Sequence, residues 1–545
     1  MPHPFCSAEP RGNSGEQFAI ASSLHRVGPS SSEFATYRLG ASKNRSERPK
    51  VGPRSAAVRR YGEHRRPEIG PRSRFVEAPV HIFQSFYPEE DLLKTLNNKR
   101  LILLELNEIN FEFALAYAER KTLVHLKRVI KDARRTSSEA HYEQLEPWIQ
   151  WVSVHTGIAA AEHGIVRLGD MAGSGIPQFF EAVEAAGYTV GAISAMNADN
   201  RLQQPAYFIP DPWTVTSPDR SFWSRALSKA VSQAVNDNSN ERLSGRSLLA
   251  LLGGLIRFAR PRNYSRYVNL ALRSRGRPWR KALFLDLFLH DLHLRMFGKK
   301  RPDFSTLFLN GGAFIQHHYL FNARAAVKTD LRNPDWYVAA DQDPFAEMLE
   351  VYDRILGDYL ALDDVDLIVA TGLTQKPYDR VKYYWRLRDH VAFLDHVGVK
   401  YRAVFPRMTR DFMIEFDSSE AAKHGAEQLA EIVCEADGNA IFGEIDNRGA
   451  SLFVTLTHAA AIEDELIVKQ GNKRFDLKPH VVFVAIKNGM HEGRGFVYYK
   501  GRVADYAARD GLHVKELYKV VVDYFGLNLP ARAAPIREAE ADTHV

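Results

Sequence analysis

Short apolar runs alternate with segments of helical period along most of this chain, and this alternation constrains the fold more than any other feature. Helix-period segments such as 177–186 separate most of the runs. Buried strands joined through helices predict an α/β fold with a doubly wound, mostly parallel sheet. The runs that predict strands are Leu101–Leu106, 188–193, 305–309, 365–370 and 481–486.

Two stretches interrupt this pattern. Residues 242–301 hold fifteen Lys/Arg against two Asp, with Leu, Phe and Trp between them. They predict a basic helical insertion that either packs its apolar faces on the core or presents a basic amphipathic surface to a membrane or an anionic polymer. The pattern of residues 390–480 predicts a strand, a helix and two further strands, and hence a small inserted α+β subdomain. The core is then 98–240, 301–389 and 481–530, with the helical insertion at 241–300 and a tail at 531–545.

The N-terminal segment differs in composition from the rest of the chain. Residues 43–74 hold eleven Lys/Arg against three Glu, with many Ser, Pro and Gly. Such a segment buries too little apolar surface to offset its ordering entropy, so we predict a disordered basic tail over 1–75. The tail lacks the apolar stretch of a secretory signal. The alternative is that the working protein starts further in.

Two cysteines, Cys6 and Cys434, cannot build a disulfide framework, and this favours a reducing compartment, the cytoplasm. The longest apolar run, 248–256, is far shorter than the roughly 20 residues that span a bilayer. We therefore expect a cytoplasmic protein without a transmembrane helix, in contact with a membrane at most peripherally through 242–301.

The segment "WVSVHTGIAAAEHGI" resembles the nucleophile region of the alkaline phosphatase superfamily, type I phosphodiesterase/nucleotide pyrophosphatase branch. Thr156-Gly157, five residues and His163-Gly164-Ile165 carry the likeness, with the following "IPQFFEAVEAAGYTVGAIS" and the C-terminal "NGMHEGRGF". The resemblance covers roughly 100–240, 300–385 and 480–530. It implies an alkaline-phosphatase-like fold and hydrolysis of phosphate esters with divalent metals.

Several positions depart from the superfamily pattern that the resemblance implies. Pro147 stands where the nucleophile is usual, nine residues before Thr156, and has no hydroxyl. Gly372 and Leu373 stand in "ATGLTQ" where Asp and His usually bind metal. The resemblance therefore implies a degenerate active site with at most one divalent metal, zinc, manganese or magnesium, held by Glu105, His317 and His491. His318 is the alternative to His317.

Other polar groups complete the predicted pocket. Ser153 is the candidate for a substitute nucleophile, with an activated water as the alternative. We expect Asn107, Gln150 and Asn310 to bind substrate. Trp148 and Trp151 either stack on a sugar or belong to the core. The two glycines of "NGG" at 310–312 are expected to let the backbone approach a ligand.

Two functions stay open from the sequence. The first is a hydrolase or transferase of phosphate esters, with a small-molecule substrate. The second is a non-catalytic relative that binds an anionic or carbohydrate ligand such as an anionic glycan, with envelope or polysaccharide assembly as a candidate context. The mixture of Lys/Arg with Tyr and Trp at 375–390 is typical of an anion-binding rim. Because no nucleic-acid motif accompanies it, a nucleic-acid partner is not expected. The oligomeric state is not predicted.

Overall fold

The computed structural model describes residues 100–139, 141–236, 244–407 and 410–527, and all of them belong to the unit Pro79–Val545. The tails predicted at 1–75 and 531–545 lie outside the described residues. The strands are β1 Leu101–Leu106, β2 Arg134–Ser137, β3 Val190–Ile193, β4 Tyr207–Ile209, β5 Phe304–Leu309, β6 Asp366–Ala370, β7 Thr374–Leu387, β8 Ala403–Pro406, β9 Asp411–Glu415, β10 Ile432–Cys434, β11 Glu444–Asn447, β12 Ser451–Thr455, β13 Ile467–Gln470, β14 Lys473–Asp476, β15 Val481–Glu492, β16 Arg494–Lys500 and β17 Leu512–His513.

Helices connect these strands. They are α1 Phe111–Arg120, α2 Val124–Lys131, α3 Pro147–Thr156, α4 Ala160–His163, α5 Phe179–Ala185, α6 Phe222–Asn236, α7 Gly245–Phe258, α8 Tyr264–Leu272, α9 Trp279–Lys300, α10 Gly311–Tyr319, α11 Pro344–Leu360, α12 His390–Val397, α13 Ser419–Ala430 and α14 Glu516–Tyr524. Among the described residues, no helix combines the length and the apolar composition that crossing a bilayer requires.

An eight-stranded sheet with the order β17-β2-β16-β6-β1-β5-β3-β4 forms the centre of the fold. Its middle strand β1 pairs parallel with β5 and with β6, and β3 pairs parallel with β5 and β4. Strand β16 runs antiparallel to both β6 and β2. The predicted α/β class with a doubly wound, mostly parallel sheet is confirmed.

The sequence of β1 explains why this strand is central. All six of its residues are buried, so both faces of the strand are covered. Ile102, Leu104 and Leu106 belong to the apolar core on one face of the sheet, whereas Leu101 and Leu103 belong to the core on the other face. Glu105 is the polar exception among these six residues, and its side chain lies on the second face.

The prediction for 481–486 needs a correction. These residues do form a strand, but β15 does not join the main sheet. It pairs antiparallel with β7 in a separate two-stranded ribbon. Strand β16, which follows β15 directly, takes the place beside β6.

The ribbon of β7 and β15 leads to a second set of strands. A four-stranded sheet, β11-β12-β9-β8, and a three-stranded sheet, β10-β13-β14, lie between the two ribbon strands in sequence, together with α12 and α13. Their apolar side chains form a core of their own, which includes Phe393, Phe412, Phe442 and Leu452.

The described part of the basic stretch, residues 244–301, divides into helices with different environments. Helix α9 buries Leu283, Leu287 and Leu292 in the main core. Helix α7 leaves Leu249 70% and Ile256 82% exposed. Part of the stretch is therefore core, and part of it presents apolar side chains outward.

A buried carboxyl group fixes the start of α10. Asp286 of α9 accepts hydrogen bonds from the N–H of Gly311 (2.9 Å) and from the hydroxyl of Tyr352 (2.6 Å). A Cβ on Gly311 would lie 2.5 Å from this carboxylate, and a Cβ on Gly312 would lie 2.0 Å from Ile109. The glycines that were expected to admit a ligand instead admit Asp286 and Ile109.

Stability should depend on the ionisation of Asp286. Burial raises its pKa from 3.8 to about 7. The unfolded chain ionises this carboxyl above about pH 4 and the folded chain only near pH 7, so the free energy of unfolding falls as pH rises between these values. The full loss is about 4 kcal/mol at most. Asp286→Asn has no carboxyl group to ionise, so its free energy of unfolding should rise relative to that of the wild type as pH increases from about 4 to 7.

Urea unfolding of the full-length protein at pH 4.5 and pH 7.5 measures this difference. Asp395→Asn, at an exposed position, is the matched control. If the free energies of unfolding of wild type and Asp286→Asn differed by the same amount at both pH values, the predicted ionisation of Asp286 would be wrong.

Candidate metal centre

The turn that follows β1 is held in an uncommon conformation. Glu108 has φ 62°, in the left-handed region that side chains other than glycine rarely adopt. Its N–H donates to the carbonyl of Thr371 (3.0 Å), and its carbonyl accepts from Nε2 of Gln316 (2.8 Å). These bonds fix the backbone from both sides, and such held strain is common at functional sites.

Three distant segments meet at the Glu108 carboxylate. Oε2 of Glu108 lies 3.1 Å from Nε2 of His317 on α10 and 3.2 Å from Nε2 of His491 on β15. The two imidazole nitrogens lie 3.2 Å from each other. Among the described residues, these three form a group that could hold a metal ion.

The near-equilateral triangle has the dimensions of a metal site. Ligand atoms 2.0–2.1 Å from a tetrahedral zinc ion lie about 3.3 Å apart. The three edges in this chain, 3.1, 3.2 and 3.2 Å, are close to that separation. Two imidazoles with one carboxylate are also a donor set that catalytic zinc sites use.

Hydrogen bonds alone do not satisfy this triangle. If each imidazole donates its Nε2–H to Glu108, neither Nε2 keeps a lone pair for the other, and the third edge brings two donors to 3.2 Å. In addition, Nε2 of Gln375 already donates to the same Oε2, and Nδ2 of Asn107 donates to Oε1 (3.0 Å). A cation facing three lone pairs removes the conflict, so the residues fit a divalent metal.

The electrostatics of the three groups favour the ionised carboxylate. Burial by itself raises the pKa of Glu108, but the charges and hydrogen bonds of His491 and His317 outweigh burial and hold that pKa well below its usual range. Burial lowers the pKa of His491, yet the Glu108 carboxylate brings it above its ordinary value. The carboxylate is therefore in the form that binds a metal, whereas His491 has to release a proton before its Nε2 can do so.

A second carboxylate lies at the outer side of His491. Oε2 of Glu146, the residue before α3, is 3.6 Å from Nδ1 of His491, and its side chain is 31% exposed. Burial raises the pKa of Glu146, His491 lowers it, and the charge of Glu108 raises it further, with a net rise. A carboxyl group with a raised pKa beside a metal-binding group is a candidate proton carrier.

The predicted substrate-binding residues have different surroundings. Nδ2 of Asn107 donates to Oδ1 of Asn310 (2.8 Å), so these two side chains meet beside Glu108. Gln150 is buried, and its Nε2 donates to the carbonyl of Gln144 (3.0 Å). Trp151 donates to Oδ1 of Asn107 (2.8 Å) and is fully buried, which makes it a core residue rather than a stacking surface.

Glu105 does not join the three ligand candidates. It is the fifth residue of β1, so strand alternation turns its side chain to the sheet face covered by α3. There its Oε1 lies 3.4 Å from Nε2 of His155, and both groups are buried. The carboxylate beside His317 and His491 is that of Glu108, three residues later and past the end of the strand.

Ser153 also has another partner. Its Oγ lies 3.1 Å from Nε2 of His163, whose Nδ1 accepts the N–H of Ile165 (3.0 Å). The proton of His163 therefore sits on Nε2 and is donated to Ser153, and burial lowers the pKa of His163 to about 4. Ser153 is fully buried, and this histidine cannot deprotonate it.

His317 and His318 diverge as adjacent helical residues do. His318 is buried against Phe314 and Tyr384, and burial lowers its pKa to about 3.

The sequence did not lead to the selection of Glu108 or Glu146 as site residues. A usable signal was the position of Glu108 just past the strand end, where polar residues of α/β sheets converge.

The sequence matches no protein-family model and no curated protein. Solved structures do match. Sinorhizobium meliloti phosphonoacetate hydrolase is 13% identical over 79% of this chain and 96% of its own, with a TM-score of 0.35. Murine ectonucleotide pyrophosphatase/phosphodiesterase 5 is 10% identical over 80% of this chain and 97% of its own, with a TM-score of 0.34. Thermus thermophilus alkaline phosphatase is 14% identical over 82% of this chain and 96% of its own, with a TM-score of 0.37. The likeness concerns the fold alone.

Metal binding should depend on His491. We expect the full-length protein to hold one equivalent of zinc or manganese after equilibrium dialysis, and His491→Ala to weaken that binding by at least about 100-fold. Elemental analysis of the dialysed protein measures the content. His424→Ala, at an exposed position on α13, is the control and should keep its metal. Wild-type protein without metal, or equal metal in both variants, would contradict the assignment.

Proposed function

We propose that this chain hydrolyses small phosphate esters at a single divalent metal held by Glu108, His317 and His491. The observation that carries the proposal is the triangle of ligand atoms with edges of 3.1–3.2 Å. Its position after the central strand β1 agrees with the rule that α/β sheets bind ligands beyond the carboxyl ends of their strands.

A divalent metal with three protein ligands and an open position would lower the pKa of bound water and offset the charge of the phosphate. The chain's own groups do the rest. Asn107 and Gln375 donate to the two oxygens of Glu108 and orient it. Glu146, partly exposed and with a raised pKa, accepts a proton from the attacking water and returns it to the leaving oxygen.

Two features favour water over a protein nucleophile. Pro147 has no hydroxyl, and the hydroxyl of Ser153 is buried and receives the N–H of His163. A single metal is favoured for a similar reason, because Gly372 and Leu373 offer no ligand at the positions where the resembled superfamily has Asp and His. The alternative, a relative that binds its ligand without turnover, shares the metal but not the activity.

Activity should follow the carboxylate of Glu108. We expect full-length protein to hydrolyse bis(p-nitrophenyl) phosphate or p-nitrophenyl phosphate, and Glu108→Gln to lower kcat/KM by at least about 100-fold because the anionic ligand is lost. Glu119→Gln, an exposed position on α1, is the control. Release of nitrophenol, measured with added zinc or manganese and again with chelator, tests this. If the protein binds metal but hydrolyses neither compound, the proposed hydrolase function is wrong and ligand binding without turnover is favoured.

We also propose a peripheral contact with anionic membranes through α7 and α8. On α7, Leu249 and Ile256 are largely exposed, and on α8 Val268 and Leu272 are exposed at a helical spacing of four. Residues 242–301 carry fifteen Lys/Arg against two Asp. Five of these arginines pair with carboxylates outside the stretch, and the other basic residues supply its positive charge. Apolar insertion combined with cationic attraction is the chemistry of an interfacial helix.

Vesicle sedimentation tests this contact. Full-length protein should sediment with phosphatidylglycerol vesicles more than with phosphatidylcholine vesicles, and Leu249→Glu with Ile256→Glu should lower the bound fraction about fivefold or more. Val391→Glu, an exposed apolar position on α12, is the control. Equal sedimentation with both lipids, or equal loss in the control, would contradict the proposal.

A further inference from the structure

The ribbon of β7 and β15 brings like charges together. Lys382 of β7 is the direct cross-strand partner of Lys487 of β15. Arg410 joins them, since its guanidinium carbon lies 4.8 Å from the ring centroid of Tyr384, and Nζ of Lys382 lies 6.0 Å from the same centroid. Like charges directly opposite each other in a β-ladder are destabilising.

The chain supplies little countercharge to this cation cluster of Lys382, Lys487 and Arg410. Among residues 100–139, 141–236, 244–407 and 410–527, neither lysine has a carboxylate within ion-pair distance. Arg410 has Glu444 at 4.0 Å, the limit of such a pair, and Glu444 is exposed. Burial, followed by the neighbouring cations, lowers the pKa of Lys487 to about 8 and also lowers that of Lys382.

Aromatic rings hold the cluster in place. Nζ of Lys487 lies 4.5 Å from the ring centroid of Tyr378, and Tyr384 lies beneath both Lys382 and Arg410. Cation–aromatic contacts fix the direction of these charges without neutralising them. The cations are therefore ordered, and the carboxylates of Glu146, Asp379 and Glu444 act on the two lysines without forming an ion pair with them.

The cluster adjoins the candidate metal centre. His491 follows Lys487 by four residues in the same strand, a backbone distance of about 13 Å that a lysine side chain shortens. Glu146 connects the two places, because it lies 3.6 Å from His491 and also experiences the charge of Lys487. The candidate metal centre and the cluster are therefore linked through one strand and one shared carboxylate.

We propose that Lys382, Lys487 and Arg410 bind a second acidic group of the substrate, a phosphate or a carboxylate. The inference rests on the proposed function, in which the metal centre takes the phosphate ester that is cleaved. The substrate class is then a phosphate ester that carries a further anionic group. An anion among the three cations removes their mutual repulsion.

Calorimetric titration of the full-length protein, as purified, tests whether the cluster binds anions. Inorganic pyrophosphate and malonate, titrated separately, distinguish a preference for phosphate from one for carboxylate. We expect at least one of them to bind. Lys487→Met should weaken that binding about tenfold or more, and Lys487→Arg, which keeps the charge, should stay within about threefold of the wild type. Lys473→Met, an exposed lysine on β14, is the control and should bind as the wild type does.

Repeating the titration after chelation separates the two proposals. Binding that persists without metal and still falls in Lys487→Met supports the cluster, even if no phosphate ester is hydrolysed. Failure of both anions to bind the wild type overturns the cluster, even if hydrolysis is found. A loss in Lys473→Met equal to that in Lys487→Met also overturns it, because the effect would then be one of overall charge.

Discussion

A buried carboxylate needs a cation, and the site of this protein is arranged around that need. Glu108 is almost fully buried in a left-handed turn, and leaving its charge unpaired would be costly. Two imidazoles from α10 and β15 meet it, and two amides donate to its oxygens. Segments separated by about two hundred residues are thereby held together at one edge of the sheet.

The segment 370–375 contributes to the same convergence. It holds Gly372 and Leu373, which offer no metal ligand, yet Gln375 of this segment donates to the Glu108 carboxylate. His317 and His491 reach the same carboxylate from the helix after β5 and from the ribbon. Segments far apart in the sequence thus place their polar side chains at one end of the central strands.

The fold could be predicted from the sequence because a strand that is buried on both faces is a short, nearly continuous apolar run. Strand β1 and its neighbours β5 and β6 show this pattern. The two-stranded ribbon could not be predicted, because the apolar composition of 481–486 does not show whether this strand pairs in the main sheet or outside it. For the site, the predicted residues His317 and His491 lie 3.2 Å apart, and Asn107 and Asn310 share a hydrogen bond beside Glu108. The sequence favoured Glu105 over Glu108 because the end of β1 is not marked in "LLELNEIN". Glu105 is still in the strand, whereas Glu108 lies in the turn beyond it, where strand alternation no longer fixes the side chain.

The ribbon has a mechanical consequence. The chain leaves the core through β7 and returns through β15, and the pair Gln375–His491 stands at the base of this two-stranded stalk. Because Gln375 and His491 both contact Glu108, bending of the ribbon relative to β1 would change both contacts together. A ligand bound at the base of the ribbon would, by the same geometry, restrict that bending.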